Sequence, residues 1–394
     1  MAGLLPYGSY VPYHRLQRSE IASVLGDGGG KGMRAVASYD EDSSSMGVEA
    51  ARRALGGVAG EVRPQRLLFA TASPPYLDRT NANVIHAALS LDPCVLAIDV
   101  IGSVRSGVGA MLWAMESPAS TLVVLSDIRT GLPGSSDERE GGDAAAAFLF
   151  GDGGHARTEL MAQASMTSEF LDRWRLPDMA ASQTWEERFG EFAYGPLADA
   201  AFAEALKQCG LTPADIDFLA VAGTHERSMR AFVRDAGVAG VVNDLGLTVG
   251  NAGTAHPGLL LADVLDRADP GQVIALVVLA DGATAMILRT TDAVALPSGG
   301  PTLAAQVAEG HHRSLRYAAF LAWRGFFTRE PPRRPDPAGP AAPPSFRPQG
   351  YNLDSWAIVV PNVGHCICPQ SGSVLNAKPS TRWCRLPCPV PLGR

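Results

Sequence analysis

The chain has 394 residues, enough for a large core or two domains of ordinary size, and its composition is globular, with 46% hydrophobic and 19% charged residues. No run approaches the eighteen or more apolar residues of a membrane helix. A net charge of −7 argues against general nucleic-acid binding. The first ten residues, MAGLLPYGSY, place no basic region ahead of an apolar one, so no secretory signal is read and a cytoplasmic location is expected.

In chain order, residues 1 to about 291 alternate strand-like apolar runs with amphipathic helical stretches, the pattern of a layered α/β fold. Laid against itself, this region repeats. A helix at 47–55 leads to the strand RLLFATAS (66–73), and a helix at 198–208 leads to IDFLAVAG (216–223). DVIGSVRSGVGAMLWAM (99–115) matches LTVGNAGTAHPGLLLADVL (247–265), each a small-residue turn followed by an apolar helix. The strands TLVVLSD (121–127) and ALVVLAD (275–281) both end in acid, and GDAAAAFLFGD and DGATAMILRT close each copy. Five elements in one order point to an internal duplication, with halves at 1–155 and 156–291 and a cleft between them. Residues 292–348 are read as a connector, with helix potential at 315–323, running into the proline-rich linker EPPRRPDPAGPAAPPSFRP. Residues 349–394 form an irregular tail without periodicity.

The turns ahead of the two apolar helices carry the chemistry. A helix N-terminus presents unpaired N–H groups and a positive dipole end, which stabilises an oxyanion and suits acyl transfer. Ser103 opens one helix, as a cap or as a substrate-contacting hydroxyl, and Asn251 opens the other, as a turn residue or a substrate contact. Arg105 meets a phosphate or carboxylate, or lies on the surface. His225 caps the next helix or acts as a base. His256, inside the Asn251 turn, is a candidate to face the cleft. Tyr76 and Asp78, in the PPYLD loop, are candidate proton donors or ordinary loop residues. Asp40, Glu41 and Asp42 precede a helix and suit its dipole. Residues 151–154, Gly-Asp-Gly-Gly, read as a tight turn, because no phosphate-loop lysine follows. Cys94 and Cys209 read as isolated buried spectators, and no metal site is read.

The stretches MRAVASYDEDSSSMGVEAARRAL (33–55) and VGNAGTAHPGLLLADVLDRADPGQVIALVVLADGATA (249–285) resemble the 3-hydroxy-3-methylglutaryl-CoA synthases and the related β-ketoacyl synthase III branch of the thiolase superfamily. The resemblance covers about residues 3 to 291. It implies a thiolase fold, two duplicated α/β halves in α/β/α/β/α layers, usually dimeric. It also implies acyl-CoA condensation by a cysteine, a glutamate and a histidine. Carried over by position, Val104 stands at the cysteine, Ala72 at the glutamate and Ala222 at the histidine, while Asn251 keeps the GN motif. Valine has no nucleophilic atom, so a covalent acyl-enzyme there is excluded.

What remains is a CoA thioester held as substrate or ligand with no other cofactor. Cysteine-independent aldol or retro-aldol chemistry is one reading. A non-catalytic acyl-CoA-binding or scaffolding subunit is another, and an inactive truncated product a third. In members of this kind a proline-rich linker often leads to a zinc ribbon with an OB-fold, so a protein carrying that module is an expected partner. The tail's Cys366, Cys368, Cys384 and Cys388 lack the CxxC pairs of a ribbon. Reading His365 to Val374 from the third base of each codon permits LHLPPERVC, a string expected between ribbon cysteine pairs. A frameshifted remnant is therefore expected, and a nucleotide sequence whose alternate frame lacks flanking CxxC pairs rejects it.

Overall fold

The computed structural model describes residues 2–56, 62–152, 155–177, 179–310 and 315–327, with two short strands beyond them. The first half runs β1 (Gly3–Tyr10), β2 (His14–Gln17), α1 (Arg18–Leu25), β3 (Met33–Val36), α2 (Ser43–Gly56), β4 (Arg66–Thr71), α3 (Ala82–Ala88), β5 (Leu96–Ile101), α4 (Val104–Glu116), β6 (Thr121–Ile128), α5 (Ser136–Glu140) and β7 (Asp143–Gly151). The second half runs β8 (Thr158–Met166), β9 (Arg173–Trp174), β10 (Gln183–Thr184), α6 (Glu187–Cys209), β11 (Phe218–Gly223), α7 (Glu226–Asp235), α8 (His256–Leu265), β12 (Val273–Leu279) and β13 (Ala283–Thr290). After it come α9 (Leu303–Glu309) and α10 (Tyr317–Trp323), and then β14 (His365–Ile367) paired with β15 (Val374–Asn376).

The duplication is visible in the strand order. The first half reads β5-β4-β6-β7-β1 and the second β11-β12-β13-β8, the two meeting at Leu4 opposite Thr158. A parallel bridge from Val241 to Leu219 stands where the second half would have its counterpart of β5. The repeat read from sequence omitted β1 and β8, the strands through which the halves join.

Strand alternation assigns the layers. On β6, Val123 and Leu125 face the central core while Leu122 and Val124 face α2 and α3. On β12, Ile274, Leu276 and Val278 face that same core while Ala275 and Val277 face α6 and α7. Between the sheets lie α4 and α8, which completes α/β/α/β/α. Leu259, Leu260 and Leu261 of α8 are fully buried, each contributing about 2 kcal/mol of burial. Gly107 lets α4 approach its counterpart, since a Cβ there would stand 2.7 Å from Thr254 Cγ2.

Three expectations change. Helix α6 begins at Glu187, well before residue 198, and carries Pro196 within it. The connector is partly folded: Gln306 of α9 accepts from Val11 N at 3.0 Å, and Tyr317 of α10 donates to Glu138 Oε2 at 2.9 Å. Arg324, just after α10, pairs with Asp143, which also holds Arg34 at 3.2 Å. Cys94 is exposed, its N–H donating to Asp92 Oδ1 in the turn after α3, whereas Cys209 is half-buried and packs against the core of the second half. The linker, the readings of the tail cysteines and the frameshift lie outside the described residues.

Candidate functional site

Helix α4 begins at a cavity of about 390 Å³, within the size range of small-ligand sites. Ser103 caps it in extended conformation; its N–H donates to Ser106 Oγ at 3.3 Å, and Ser106 N donates to Ser103 O at 3.0 Å. The Val104 and Arg105 amides are thus the orphan donors at the positive end of α4. Ala72, Ser103 and Val104 line the cavity together, so the positions equated with glutamate and nucleophile share one site.

Asp127, the acid ending β6, fixes this mouth. Its Oδ1 accepts from Thr71 Oγ1 at 2.8 Å, Ala72 N at 2.7 Å and Ser73 N at 3.2 Å, and its Oδ2 accepts from Thr254 N at 2.6 Å. One buried carboxylate therefore ties the end of β4 to the turn before α8. Its acceptor capacity is taken up structurally.

Most of the other candidates are engaged elsewhere. Asn251 donates from Nδ2 to Gly223 O at 2.7 Å and accepts Gly253 N on Oδ1 at 3.0 Å, closing its own turn away from the cavity lining. His256 is 4% exposed, its Nδ1 accepts from Ala252 N at 3.3 Å, and burial pushes its pKa down to about 4. It is a neutral core histidine. His225 caps α7, accepting Ser228 N on Nδ1 at 3.2 Å. Arg105 donates to Met166 O at 3.3 Å, Thr167 Oγ1 at 2.6 Å and Asp281 O, and so clamps protein carbonyls.

Tyr76 and Asp78 are not among the described lining residues. The Tyr76 backbone is held by Asn81, its ring stacks under Arg79, and Asp78 is exposed at φ +53°. Ala222 is fully buried within β11, and Thr224, just past the strand, is the residue that reaches the cavity.

A titratable group in the cavity lining that the sequence reading missed is Asp172. It lines the cavity with Val104, accepts Tyr194 OH at 2.8 Å, and is held above the ordinary carboxylate range chiefly by burial. Tyr194 OH in turn accepts Asp281 N at 3.3 Å, and burial raises its own pKa. Asp172 belongs to the segment between β8 and α6, where the β9–β10 ladder folds over the cavity. That segment lacks apolar periodicity and has no counterpart in the first half, so neither signal marked it. Among the described residues no group of three His, Cys, Asp or Glu side chains is placed to hold a metal ion. None of the described helices is long and apolar enough to cross a membrane.

No family model matches the chain. A hydroxymethylglutaryl-CoA synthase of Aeropyrum pernix is 32% identical over 315 residues, covering 74% of this chain and 86% of that protein. The chain belongs to the hydroxymethylglutaryl-CoA synthase family. A second relative of that name, from Caldivirga maquilingensis, is 30% identical over 316 residues, 74% of this chain and 88% of its own length. Two solved structures share the fold of this hydroxymethylglutaryl-CoA synthase family member. 3-Oxoacyl-(acyl carrier protein) synthase III of Pseudomonas aeruginosa superposes with a TM-score of 0.64 at 20% identity, covering 74% of this chain and 98% of the other. OleA of Xanthomonas campestris gives 0.63 at 20%, covering 73% and 98%. The layered α/β fold is thus that of the condensing enzymes of the thiolase superfamily.

Proposed function

We propose that the chain binds an acyl-CoA thioester in the α4 cavity without covalent attachment and makes or breaks a carbon–carbon bond by aldol or retro-aldol chemistry. The carrying observation is Val104, a side chain with no nucleophilic atom, at the mouth of α4 beside Ala72. The relatives named hydroxymethylglutaryl-CoA synthase support the acyl-CoA condensing class. In the cleavage direction the Asp172 carboxylate takes the proton of a 3-hydroxyl group, and the C2–C3 bond breaks as C3–O becomes a carbonyl. The electron pair moves into a thioester enolate, whose oxygen the Val104 and Arg105 N–H groups stabilise. Protonated Asp172 returns the proton to C2, leaving a carbonyl product and a shorter acyl-CoA. The aldol direction is the reverse.

A panel of 3-hydroxyacyl-CoA thioesters, read for small-molecule products and intact protein mass together, tests this. The expected result is a carbonyl product with a shorter acyl-CoA and an unmodified protein. An acyl adduct on the wild-type chain overturns the non-covalent mechanism. Binding without turnover across the panel leaves a non-catalytic acyl-CoA-binding subunit instead.

The same reading includes a second copy of the chain. Strand β5 pairs with β4 on one side only, and it exposes Leu96 and Ile101 at the sheet edge, with Trp113 of α4 exposed nearby. Pairing of two β5 edges would cover these apolar side chains. Sedimentation at micromolar concentration is expected to return twice the chain mass, and a monomer overturns the pairing.

A further inference from the structure

We propose that the β9–β10 ladder is a lid over the α4 cavity, held closed by the Arg173–Asp137 pair. Asp137 is thereby a positioning residue for Asp172, which rests on the proposed function only for the proton transfer assigned to Asp172. Among the described residues β9 and β10 pair only with each other, outside the nine-stranded sheet, so no backbone ladder ties them to the body. The segment nevertheless walls the cavity, with Asp172, Arg173, Trp174 and Arg175 in the lining. Trp185 N donates to Asp172 O at 2.7 Å, which joins that residue to the ladder. Phe170, ahead of β9, packs edge-on against Tyr194 of α6 at 4.9 Å and anchors the base. Beyond it the apolar side chains hold little down: Leu171, Leu176 and Trp185 are each more than half exposed. A segment with few buried apolar contacts opens at low cost.

Two arginines make the contacts that close it. Arg173 gives Asp137 a two-point pair, at 2.6 and 2.5 Å, with the side chains 14% and 23% exposed. A forked pair mostly withdrawn from water is the strong form of an ion pair. Arg129 Nη2 stays 3.9 Å from Asp137 Oδ1, so the carboxylate belongs to Arg173. Arg175 Nη2 adds one bond, to Ala72 O at 2.6 Å, at the exposed surface.

A rigid post presents Asp137 to the lid. The residue stands in the short helix α5, where the Ser135 cap accepts Glu138 N at 3.1 Å. Glu138, next in the chain, is fully buried: its Oε2 accepts Gly134 N at 2.7 Å and Tyr317 OH of α10 at 2.9 Å, and its carbonyl accepts Arg34 Nη1 at 2.5 Å. Gly131 closes on the same turn, since a Cβ there would stand 2.2 Å from Glu138 N. Asp137 is therefore the fixed end of the pair and Arg173 the movable one. With the pair made, Asp172 stays in the lining with Val104 and takes Tyr194 OH at 2.8 Å. With it broken, the ladder swings about Phe170 and carries Asp172 with it. Thioester entry and product release need that opening, and proton transfer needs the closed state.

Limited trypsin digestion of the full chain, read by mass for cleavage of the Arg175–Leu176 bond, tests the lid without any turnover. The cleavage rate follows the population of the open state. D137A, R173A and the double variant are each expected to raise it by the same factor, about tenfold, the scale of one charge-assisted pair. Deleting either partner, or both, breaks one contact, so the single effects do not multiply. R173A lies outside the nine-stranded sheet and carries the test if D137A fails to fold. An unchanged rate in the folded variants overturns the lid, and single effects that multiply in the double variant overturn the pair as its latch. On a thioester that the wild type turns over, D137A should lower kcat about tenfold or more while KM moves less than about threefold. An unchanged kcat overturns the positioning role. Faster cleavage in a chain without turnover on any thioester strikes the proposed chemistry and leaves the lid standing.

Discussion

On incubation with acetyl-CoA, V104C is expected to gain the mass of one acetyl group and release CoA, while the wild-type chain gains nothing. The exchange conserves its bonds: the thioester between acetyl and CoA breaks, and one to the introduced sulfur forms. Val104 is the first residue of α4, 3% exposed and lining the cavity. A thiol at that point lies in the field of a helix N-terminus, which favours the thiolate and therefore attack. Cysteine is close in size to valine, so the buried first turn of α4 tolerates the change. V104S is the control: a serine hydroxyl is far less acidic than a thiol, stays protonated in the same helix field and should give no stable adduct. Absence of an adduct in V104C would show that Val104 does not face the acyl carbonyl. An adduct on the wild type would place the nucleophile elsewhere.

The second large effect is expected at Asp172. D172N should lower the turnover number about 10²- to 10⁴-fold, the usual range for loss of a general acid or base, with a much smaller change in thioester affinity. The pH profile supplies the more specific reading. Burial raises the Asp172 pKa, so ionisation requires a higher pH than for an ordinary aspartate, and the reaction needs the ionised form to take the hydroxyl proton. The ascending limb of kcat/KM should therefore lie above the normal carboxylate range, with activity falling as pH drops through it. Tyr194 donates to the Asp172 carboxylate and favours its ionised form, so Y194F should move that limb to still higher pH. A merely structural aspartate would leave the limb in place. Turnover in D172N within tenfold of wild type rejects the assignment.

The fate of the candidate residues follows one pattern. Residues next to regular elements were placed correctly along the chain, but their side chains were claimed by local hydrogen bonding. Asn251 closes the turn before α8, His225 caps α7, and Arg105 clamps the carbonyls of Met166 and Asp281. Asn and His at helix starts satisfy orphan backbone groups, and that demand is met before any ligand arrives. Beside Ser103, the cavity is lined by Asp172 and Arg129 with Arg173, which come from the segments after β8 and β6. Those segments carry no periodicity from which direction can be read.

The duplicated α/β halves, their layering and the absence of a nucleophilic atom at Val104 are legible in the order of residues. Apolar alternation in strands such as β6 and β12 fixes which residues face which layer. A side chain without a lone pair cannot acquire one by folding. The surroundings of that valine are set by long-range packing. Asp127 ties β4 to the turn before α8, the β9–β10 segment brings Asp172 over the cavity, and pairing of Asp137 with Arg173 leaves Arg129 without a hydrogen-bonded anion. Each is a contact between residues distant in sequence. Side-chain direction and charge pairing at such contacts are set by packing, which no local pattern encodes.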